Sequence, residues 1–213
     1  MNNILRFIYY RIFIRLIVLV VLGLNVRHRE KLPQEGPAIL VANHNSHLDT
    51  MVLMTLLPGH LLPITRPVAA ADYFLSNPLL AWFALKIVGI LPIRRKRESR
   101  TDDLLAPCQD ALDKGNILIF FPEGSRGDPE RLSRFKSGIT KLVEAHPDIP
   151  VVPVLLHGLG KALPRGEVLL VPFFCDVFIG ESLYWSGNKR EFMQQLDESM
   201  AQLSQEGRFS VWE

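Results

Sequence analysis

Short apolar runs alternate with stretches of helical pattern along the chain after residue 32. The apolar runs have the length of strands, and the longer stretches between them predict helices. The predicted strands are 38–42, 68–71, 90–93, 117–121, 151–156 and 168–177. The predicted helices lie near 48–57, 74–87, 99–114, 137–146 and 188–205. This alternation predicts an α/β fold with a mixed, largely parallel sheet flanked by helices.

The N-terminal segment is apolar and studded with arginines. Residues 16–24 form an unbroken run of nine apolar residues, whereas a membrane-spanning helix needs about 20. Arg11 and Arg15 share one helix face, and Arg6 lies near its edge. The pattern therefore predicts that residues 1–31 form an N-terminal membrane-associating helix, with its arginines on anionic headgroups.

Two other interpretations of this segment stay open. A secretory signal peptide has a basic start and an apolar stretch, but here the arginines interrupt the apolar part and no small-residue cleavage site follows. The segment also fits an amphipathic helix buried against the domain. A second apolar stretch, residues 78–85, is suited to receive lipid tails, but a core helix is the favoured interpretation there.

Composition is close to the globular average, and charge is informative only through its distribution. The 213 residues include 24 basic and 22 acidic side chains, for a net charge of +2, and the mean hydropathy is +0.15. Residues 1–31 and 86–100 each carry six basic residues against one acidic, while 181–213 carry three against six. Because no nucleic-acid motif accompanies the basic blocks, they point to a membrane surface or an anionic lipid. Two cysteines exclude a disulfide scaffold.

A histidine and an aspartate follow the strand 38–42 at a spacing suited to base catalysis. In an α/β protein, chemistry collects where a strand ends and a helix begins. Asp49, one turn into the predicted helix, is placed to hold one tautomer of His44 and to stabilise its imidazolium. The competing interpretation is structural: Ser46 and Asp49 form a variant of the capping box. A metal site on His44, His47 and Asp49 is weaker, because no second cluster completes a shell.

No recognisable nucleophile signature in the chain supplies a group for such a pair to activate. The only near match to a serine-hydrolase elbow has Glu123 where the pattern needs its first glycine, and neither cysteine lies in a nucleophile signature. The activated hydroxyl is therefore expected to belong to a substrate.

A second cluster of chemistry follows the strand 117–121. Glu123 and Arg126 flank Gly124 and Ser125, and a glutamate and an arginine around a glycine suit the binding of hydroxyls and a phosphate. Lys136 precedes the next helix, where a lysine adds charge to an anion site. A loop of solvated charges is the alternative interpretation.

The order and spacing of these blocks resemble the glycerolipid acyltransferases, typified by 1-acyl-sn-glycerol-3-phosphate (lysophosphatidic acid) acyltransferases. The blocks are NHNSHLD (43–49), GILPIRR (89–95), FPEGSRG (121–127) and IPVVPV (149–154), joined by FKSG (135–138). The resemblance covers roughly residues 32–185, so 32–213 is expected to be the acyltransferase domain. The second block departs from the family, which more often has an aspartate–arginine pair after an aromatic.

The resemblance implies transfer of a fatty acyl group from acyl-CoA or acyl carrier protein to a lysophospholipid hydroxyl. By this analogy His44 is the general base and Asp49 its partner. The acceptor's phosphate and glycerol would be bound by a set comprising Arg95 (or its neighbour Arg94), Glu123, Gly124, Ser125, Arg126 and Lys136. No cofactor, metal or nucleic acid is expected, and the protein is placed on the cytoplasmic face of an inner or endoplasmic-type membrane. An acyl-thioester hydrolase and a non-catalytic lipid-binding protein are the alternatives.

Overall fold

A seven-stranded sheet forms the centre of the molecule in the computed structural model, which describes residues 2–20, 22–96, 102–127, 132–162 and 173–209. The strands lie in the order β1-β7-β6-β2-β5-β3-β4, and all neighbours are parallel except β6 and β7. This confirms the mixed, largely parallel sheet. The strands are β1 Leu22–Arg27, β2 Ala38–Ala42, β3 Thr65–Ala70, β4 Leu91–Ile93, β5 Ile117–Phe120, β6 Val151–His157 and β7 Phe173–Ile179.

Helices cover both faces of the sheet. The N-terminal helix is built from three consecutive segments, Asn2–Ile8, a π-helical Tyr9–Ile14 and Arg15–Val20. A second helix, Pro78–Phe83, is likewise extended by a π-helical turn, Ala84–Val88. The other α-helices are Leu48–Leu56, Ala71–Phe74, Ala106–Asp113, Thr140–Ala145, Leu159–Ala162 and Lys189–Gly207. Three 3-10 turns also occur in the described ranges, at Arg29–Lys31, Gly59–Ile64 and Ser137–Ile139.

Most of the predicted elements are present, and one strand was missed. β2 coincides with its prediction, whereas residues 168–172 of the last predicted strand and 99–101 of a predicted helix lie outside the described residues. The expectation of a helix over residues 1–31 is wrong from Leu22 onward, because Leu22–Arg27 forms β1 and pairs with β7. Its side chains alternate between buried and exposed with a period of two, which is a strand pattern. Residues 1–31 therefore contain both a helix and a strand of the central sheet.

The sheet places the two sequence blocks of chemical interest side by side. β2 and β5 are adjacent, parallel and buried along their whole length, as apolar central strands covered on both faces should be. Their register pairs Val41, the residue before the end of β2, with Phe120, the last residue of β5. The loops that follow them, 43–49 and 121–127, therefore leave the same edge of the sheet as neighbours.

The N-terminal helix is packed against the sheet rather than attached to it by a linker. Tyr10, Ile14, Val18 and Leu22 belong to the same buried cluster as the inner faces of β2 and β6. The spacing of four from Tyr10 to Val18 would drift around an α-helix of 3.6 residues per turn. The π-helical turn takes more residues per turn, which keeps these side chains on one face.

Arginines on this helix bind the protein itself. Arg6 is only 3% exposed and donates from Nη2 to the carbonyl of Thr65 at 2.6 Å. Arg11 donates to the carbonyl of Leu57 at 3.2 Å, and the Tyr10 hydroxyl donates to the carbonyl of Val88 at 3.3 Å. Burial lowers the pKa of Arg6 to about 10. The expectation of arginines on lipid headgroups is wrong for Arg6, because it lies on the buried face and satisfies a backbone carbonyl there.

Apolar side chains cover the outside of the N-terminal helix and of the helix Pro78–Phe83. Within the described ranges, none of the helices combines the length and apolar character that crossing a bilayer requires. Leu79 is 74% exposed and Trp82 is 50% exposed, so the expectation of a core helix at residues 78–85 is wrong for this face. The exposed large apolar residues of the N-terminal helix are Ile4, Leu5, Phe7, Ile8, Ile12, Phe13 and Leu16.

Substituting the two faces of the N-terminal helix separately tests whether it is part of the core. Tyr10→Ala is expected to lower the free energy of unfolding by about 3–5 kcal/mol, because Tyr10 is fully buried. Phe13→Ala should change it by less than about 0.5 kcal/mol, because Phe13 is 65% exposed. Urea unfolding without lipid or detergent measures both. Equal effects of the two substitutions would show that the helix does not dock as described.

Candidate active site

The loop after β2 is tied to the sheet by an asparagine. The Asn43 side-chain amide donates to the carbonyl of Leu156 and its oxygen accepts the Leu156 amide, both at 2.8 Å. Asn43 is buried, and its side chain thus continues the pairing of β2 with β6 beyond the end of the strand. The residue that follows, His44, therefore starts from a fixed backbone.

A single carboxylate oxygen organises the turn that follows. Asp49 Oδ2 accepts three hydrogen bonds, from His44 Nδ1 at 2.9 Å, from the Asn45 amide at 2.7 Å and from the Ser46 amide at 2.8 Å. The Asp49 side chain is fully buried, whereas the His44 side chain is about one fifth exposed. The ring of His44 therefore reaches the surface of the site while its Nδ1 is held from below.

Asp49 also takes part in capping the helix that follows. Asp49 accepts the backbone amide of Ser46, and the Ser46 hydroxyl oxygen accepts the amide of Leu48 at 3.2 Å. These two bonds cap the start of the helix Leu48–Leu56 in the manner of a capping box. The same carboxylate oxygen also accepts the His44 ring, so the helix cap and the His44–Asp49 pair share one group.

The loop after β5 holds His44 from the other side. The His44 amide donates to Glu123 Oε1 at 3.2 Å, and the Gly127 amide donates to the His44 carbonyl at 2.9 Å. The ring of Phe121 stacks on the His44 ring, with centroids 4.1 Å apart and planes inclined by 22°. Both backbone groups and one ring face of His44 are thus positioned by the FPEGSRG block.

Glu123 contacts the His44 backbone and has a raised pKa. Its side chain belongs to the buried polar groups, at 4% exposure. Burial raises the pKa of Glu123 to about 7, opposed by hydrogen bonds from the His44 amide and from Ser133, with the Asp49 charge raising it further. In the structure, Glu123 Oε1 accepts the backbone amide of His44 and therefore helps to fix the position of that residue.

Two cations lie near the outer part of this loop. Arg126 directly precedes Gly127, whose amide bonds the His44 carbonyl, and burial together with the charges of Arg126 and His44 lowers the pKa of His47. Gly124 has a positive φ of 75°, and a β-carbon there would lie 2.6 Å from Lys136 Nζ. Lys136 is also tied to the loop by its amide, which donates to the carbonyl of Pro122 at 3.0 Å. Gly124 and Ser125 are exposed between these cations.

The second block ends at the same sheet edge but farther away. Arg95 follows β4, which is separated from β5 by β3. Its Nη1 lies 3.4 Å from an oxygen of Asp72, and the neighbouring Arg94 lies 3.3 Å from an oxygen of Asp102. The structure thus brings together His44, Asp49, Glu123, Arg126 and Lys136, while both arginines of the second block pair with other carboxylates.

Unsatisfied polar atoms concentrate in this site. Five buried side-chain nitrogen or oxygen atoms lack a hydrogen-bond partner among the described residues, and three belong here: Asp49 Oδ1, Glu123 Oε2 and Arg126 Nη1. Buried polar atoms are nearly always paired in folded proteins, so such a group calls for a ligand, water or catalytic role. The described part of the chain contains no group of three or more metal-ligating side chains suited to an ion.

Sequence reasoning missed two residues of the site. Phe121 was assigned to a strand, yet its ring forms one wall of the His44 site. Asn43 was treated only as part of a motif, yet its amide joins the loop to β6. An amide side chain directly after a buried strand is a detectable signal for pairing beyond the strand end, whereas ring stacking depends on how the two loops meet.

The arrangement is suited to removing a proton from a bound hydroxyl. With Nδ1–H of His44 donating to Asp49, Nε2 is the basic ring nitrogen. The buried carboxylate stabilises the imidazolium that forms when Nε2 takes a proton. Arg126 and Lys136 add positive charge at the outer side of the same loop, where an anionic group would be bound.

Comparison with known families agrees with these motifs. The family model described as Acyltransferase matches residues 23–157, which is more than half of the chain. The chain therefore belongs to the glycerolipid acyltransferase family, as the order of its sequence blocks predicted.

Named relatives support the same assignment. The chain is 34% identical over 145 residues to the chloroplastic 1-acyl-sn-glycerol-3-phosphate acyltransferase LPAT1 of Arabidopsis thaliana, covering 68% of this chain and 38% of that protein. It is 30% identical over 135 residues to 1-acyl-sn-glycerol-3-phosphate acyltransferase beta of Homo sapiens, covering 63% and 46%. The matched segment thus spans less than half the length of these relatives.

The fold is shared with a crystal structure. The 1-acyl-sn-glycerophosphate acyltransferase PlsC from Thermotoga maritima superposes with a TM-score of 0.73 at 20% identity, over 96% of this chain and 79% of that chain. At this identity the likeness concerns the fold, and it agrees with the mixed α/β sheet flanked by helices.

The buried carboxyl of Glu123 predicts a pH dependence of stability. Its folded pKa of about 7 lies above the ordinary value of 4.5, so the folded protein retains a proton that the unfolded chain releases. Its contribution to the free energy of unfolding is therefore full below about pH 4.5 and is lost as the pH rises through about 7. The pKa difference corresponds to about 3 kcal/mol.

Glu123→Gln should remove this slope, because the amide oxygen still accepts the His44 amide but does not ionise. Urea unfolding at about pH 5 and about pH 8 should show the wild type losing more stability than the variant on going to the higher pH. The same loss in both proteins would contradict the buried, proton-retaining state of Glu123.

Proposed function

We propose that this protein transfers a fatty acyl group from an acyl thioester to the free hydroxyl of a lysophospholipid, with lysophosphatidic acid as the favoured acceptor. The observation that carries the proposal is the hydrogen bond of 2.9 Å between His44 Nδ1 and the buried Asp49, in a chain without a nucleophile signature of its own. Membership of the acyltransferase family supports the class of reaction. The names of the relatives, which are 1-acyl-sn-glycerol-3-phosphate acyltransferases, support the acceptor.

The proposed reaction is a single direct displacement. His44 Nε2 takes the proton of the acceptor hydroxyl as its oxygen attacks the thioester carbonyl carbon. The tetrahedral intermediate collapses, the carbon–sulfur bond breaks, and the departing thiolate receives the proton from His44. The products are the acylated lipid and a free thiol. Asp49 stabilises the imidazolium between the two proton transfers.

No covalent intermediate or resident cofactor is needed for this step. A thioester is already an activated acyl donor, so the proposal requires only a base and the two substrates held together. A positioned base contributes about 10²–10⁴-fold in rate, and proximity contributes a larger share. Acyl-CoA and acyl carrier protein both present such a thioester, and either is consistent with the proposed donor.

Arg126 and Lys136 are the proposed contacts for the acceptor's phosphate. Arg126 presents a planar fork of donors, one of which is buried and has no partner among the described residues. Lys136 lies against Gly124, so both charges border the exposed Gly124 and Ser125. Arg95 remains a proposed contact through a bound acceptor that reaches across β3.

The proposed location is a membrane surface on the cytoplasmic side. Both substrates carry long apolar tails. Since the lysophospholipid resides in a bilayer, the protein is proposed to bind it at the membrane surface. The exposed apolar side chains of the N-terminal helix support its predicted role as a membrane-associating element. The proposed partners are membrane lipids, the lysophospholipid and the acyl donor, without nucleic acid or metal.

Removing the proposed base tests this function. His44→Ala is expected to lower thiol release that depends on added lysophosphatidic acid by about 10²–10⁴-fold, because the acceptor hydroxyl loses its base. The measurement is thiol release from acyl-CoA and from acyl carrier protein, each with and without the acceptor. His60→Ala is the matched control, because His60 is exposed and contacts only the Gln34 carbonyl among the bonds described.

The same assay separates the alternatives. Thiol release by the wild type that does not depend on any acceptor would indicate a thioester hydrolase. A folded wild type without release from either donor, over a panel of lysophospholipids, would indicate a lipid-binding protein. Wild-type turnover in His44→Ala, with an unchanged unfolding midpoint, would refute the base assignment.

A further inference from the structure

A second apolar surface lies outside the N-terminal helix. Leu79, Trp82 and Leu85 follow one another at a spacing of three on the helix that starts at Pro78, and all three are exposed. A spacing of three keeps side chains on one side of a helix. Tyr73, in the short helix Ala71–Phe74, and Leu75, directly after it, are also nearly half exposed. Exposed apolar patches of this kind mark interaction surfaces in folded proteins.

This surface is held against the N-terminal helix. The rings of Tyr9 and Phe83 meet edge to face with centroids 5.4 Å apart. The Tyr10 hydroxyl donates to the carbonyl of Val88 at the end of the second helix, and the Arg6 guanidinium fills the space beside Gly89. The apolar surfaces of the two helices therefore belong to one rigid part of the molecule.

We infer that residues 73–86 form a second lipid-contacting element, which inserts Leu79, Trp82 and Leu85 into the interfacial region of an anionic bilayer. Trp82 and Tyr73 are of the residue types that concentrate at membrane–water interfaces. Lys86 is exposed next to Leu85, where a cation would meet anionic headgroups. The inference rests on the proposed membrane association and is independent of acyl transfer.

Charge favours a bilayer over a second copy of the chain as the occupant. Arg15 and Lys86 are exposed on these two helices, and residues 2–20 and 73–93 contain no aspartate or glutamate. Asp72, directly before the second segment, is paired with Arg95. In a symmetric dimer the same patch would face itself, so these like charges would be brought together. An anionic lipid surface complements them instead.

Trp82 is a built-in probe of insertion. The full chain is mixed with vesicles of phosphatidylcholine and phosphatidylglycerol whose acyl chains carry bromine, which quenches tryptophan emission on contact. We expect quenching in the wild type and loss of most of it in Trp82→Phe, although Trp185 and Trp212 remain. Equal quenching in the two proteins would overturn the inference.

Vesicle sedimentation measures the contribution to binding. Leu79→Ser and Trp82→Ser should each weaken partitioning about tenfold, because each removes one inserted apolar side chain. Tyr184→Ser is the matched control, since Tyr184 is 52% exposed and lies beyond β7 in the turn that precedes the last helix. A wild type that does not bind the vesicles, or variants that bind as tightly as the control, would overturn the inference. So would a stable dimer in lipid-free solution that either substitution converts to a monomer.

The vesicle-binding experiment can fail or succeed independently of the experiment on acyl transfer. Binding is measured without an acyl donor, and thiol release is measured separately on soluble, dispersed lysophosphatidic acid. Loss of vesicle binding in the variants with unchanged release on dispersed acceptor supports the lipid-contacting element. Release that fails while binding behaves as expected would count against the acyltransferase alone.

Discussion

The site depends on one oxygen atom, Oδ2 of Asp49. It accepts the His44 ring and the amides of Asn45 and Ser46, so one buried charge fixes both the turn and the imidazole. A buried carboxylate is stable only when hydrogen bonds replace its hydration, and these three donors do so. Loss of the carboxylate would therefore disturb both the start of the helix and the orientation of the His44 ring.

The register of the central sheet extends this constraint to the second loop. Because β2 and β5 are neighbours, Glu123 and Gly127 reach the backbone amide and carbonyl of His44. His44 is thus held by its own turn on one side and by the neighbouring loop on the other. Glu123 acts here through His44, whereas Arg126 and Lys136 occupy the outer side of the loop. Glu123 and Gly127 thus position His44, while Arg126 of the same block and Lys136 of the FKSG segment supply positive charge.

Local patterns predicted the centre of the fold and the inner part of the site. The apolar run of β2, the block at 43–49 and the block at 121–127 each follow from short-range sequence, and the parallel sheet brings them together. The periphery was harder, because Arg6 resembles a headgroup ligand in sequence and is buried only through the tertiary contact with Thr65. Leu79 and Trp82 resemble core residues in sequence. They are exposed because the tertiary structure turns their side of the helix away from the core. β1 is not recognised from the sequence, because the apolar run of the preceding helix continues into its first residues.

The tautomer of His44 shows whether Asp49 orients the ring with its basic nitrogen toward the site. Nitrogen-15 NMR of the histidine-labelled protein near neutral pH, with His44→Gln used to assign one of the six histidines, distinguishes a protonated Nδ1 from a protonated Nε2. The account predicts that neutral His44 carries its proton on Nδ1, with Nε2 as the bare, basic nitrogen. A neutral ring with its proton on Nε2 would contradict it, because Asp49 would then not orient His44 as a base.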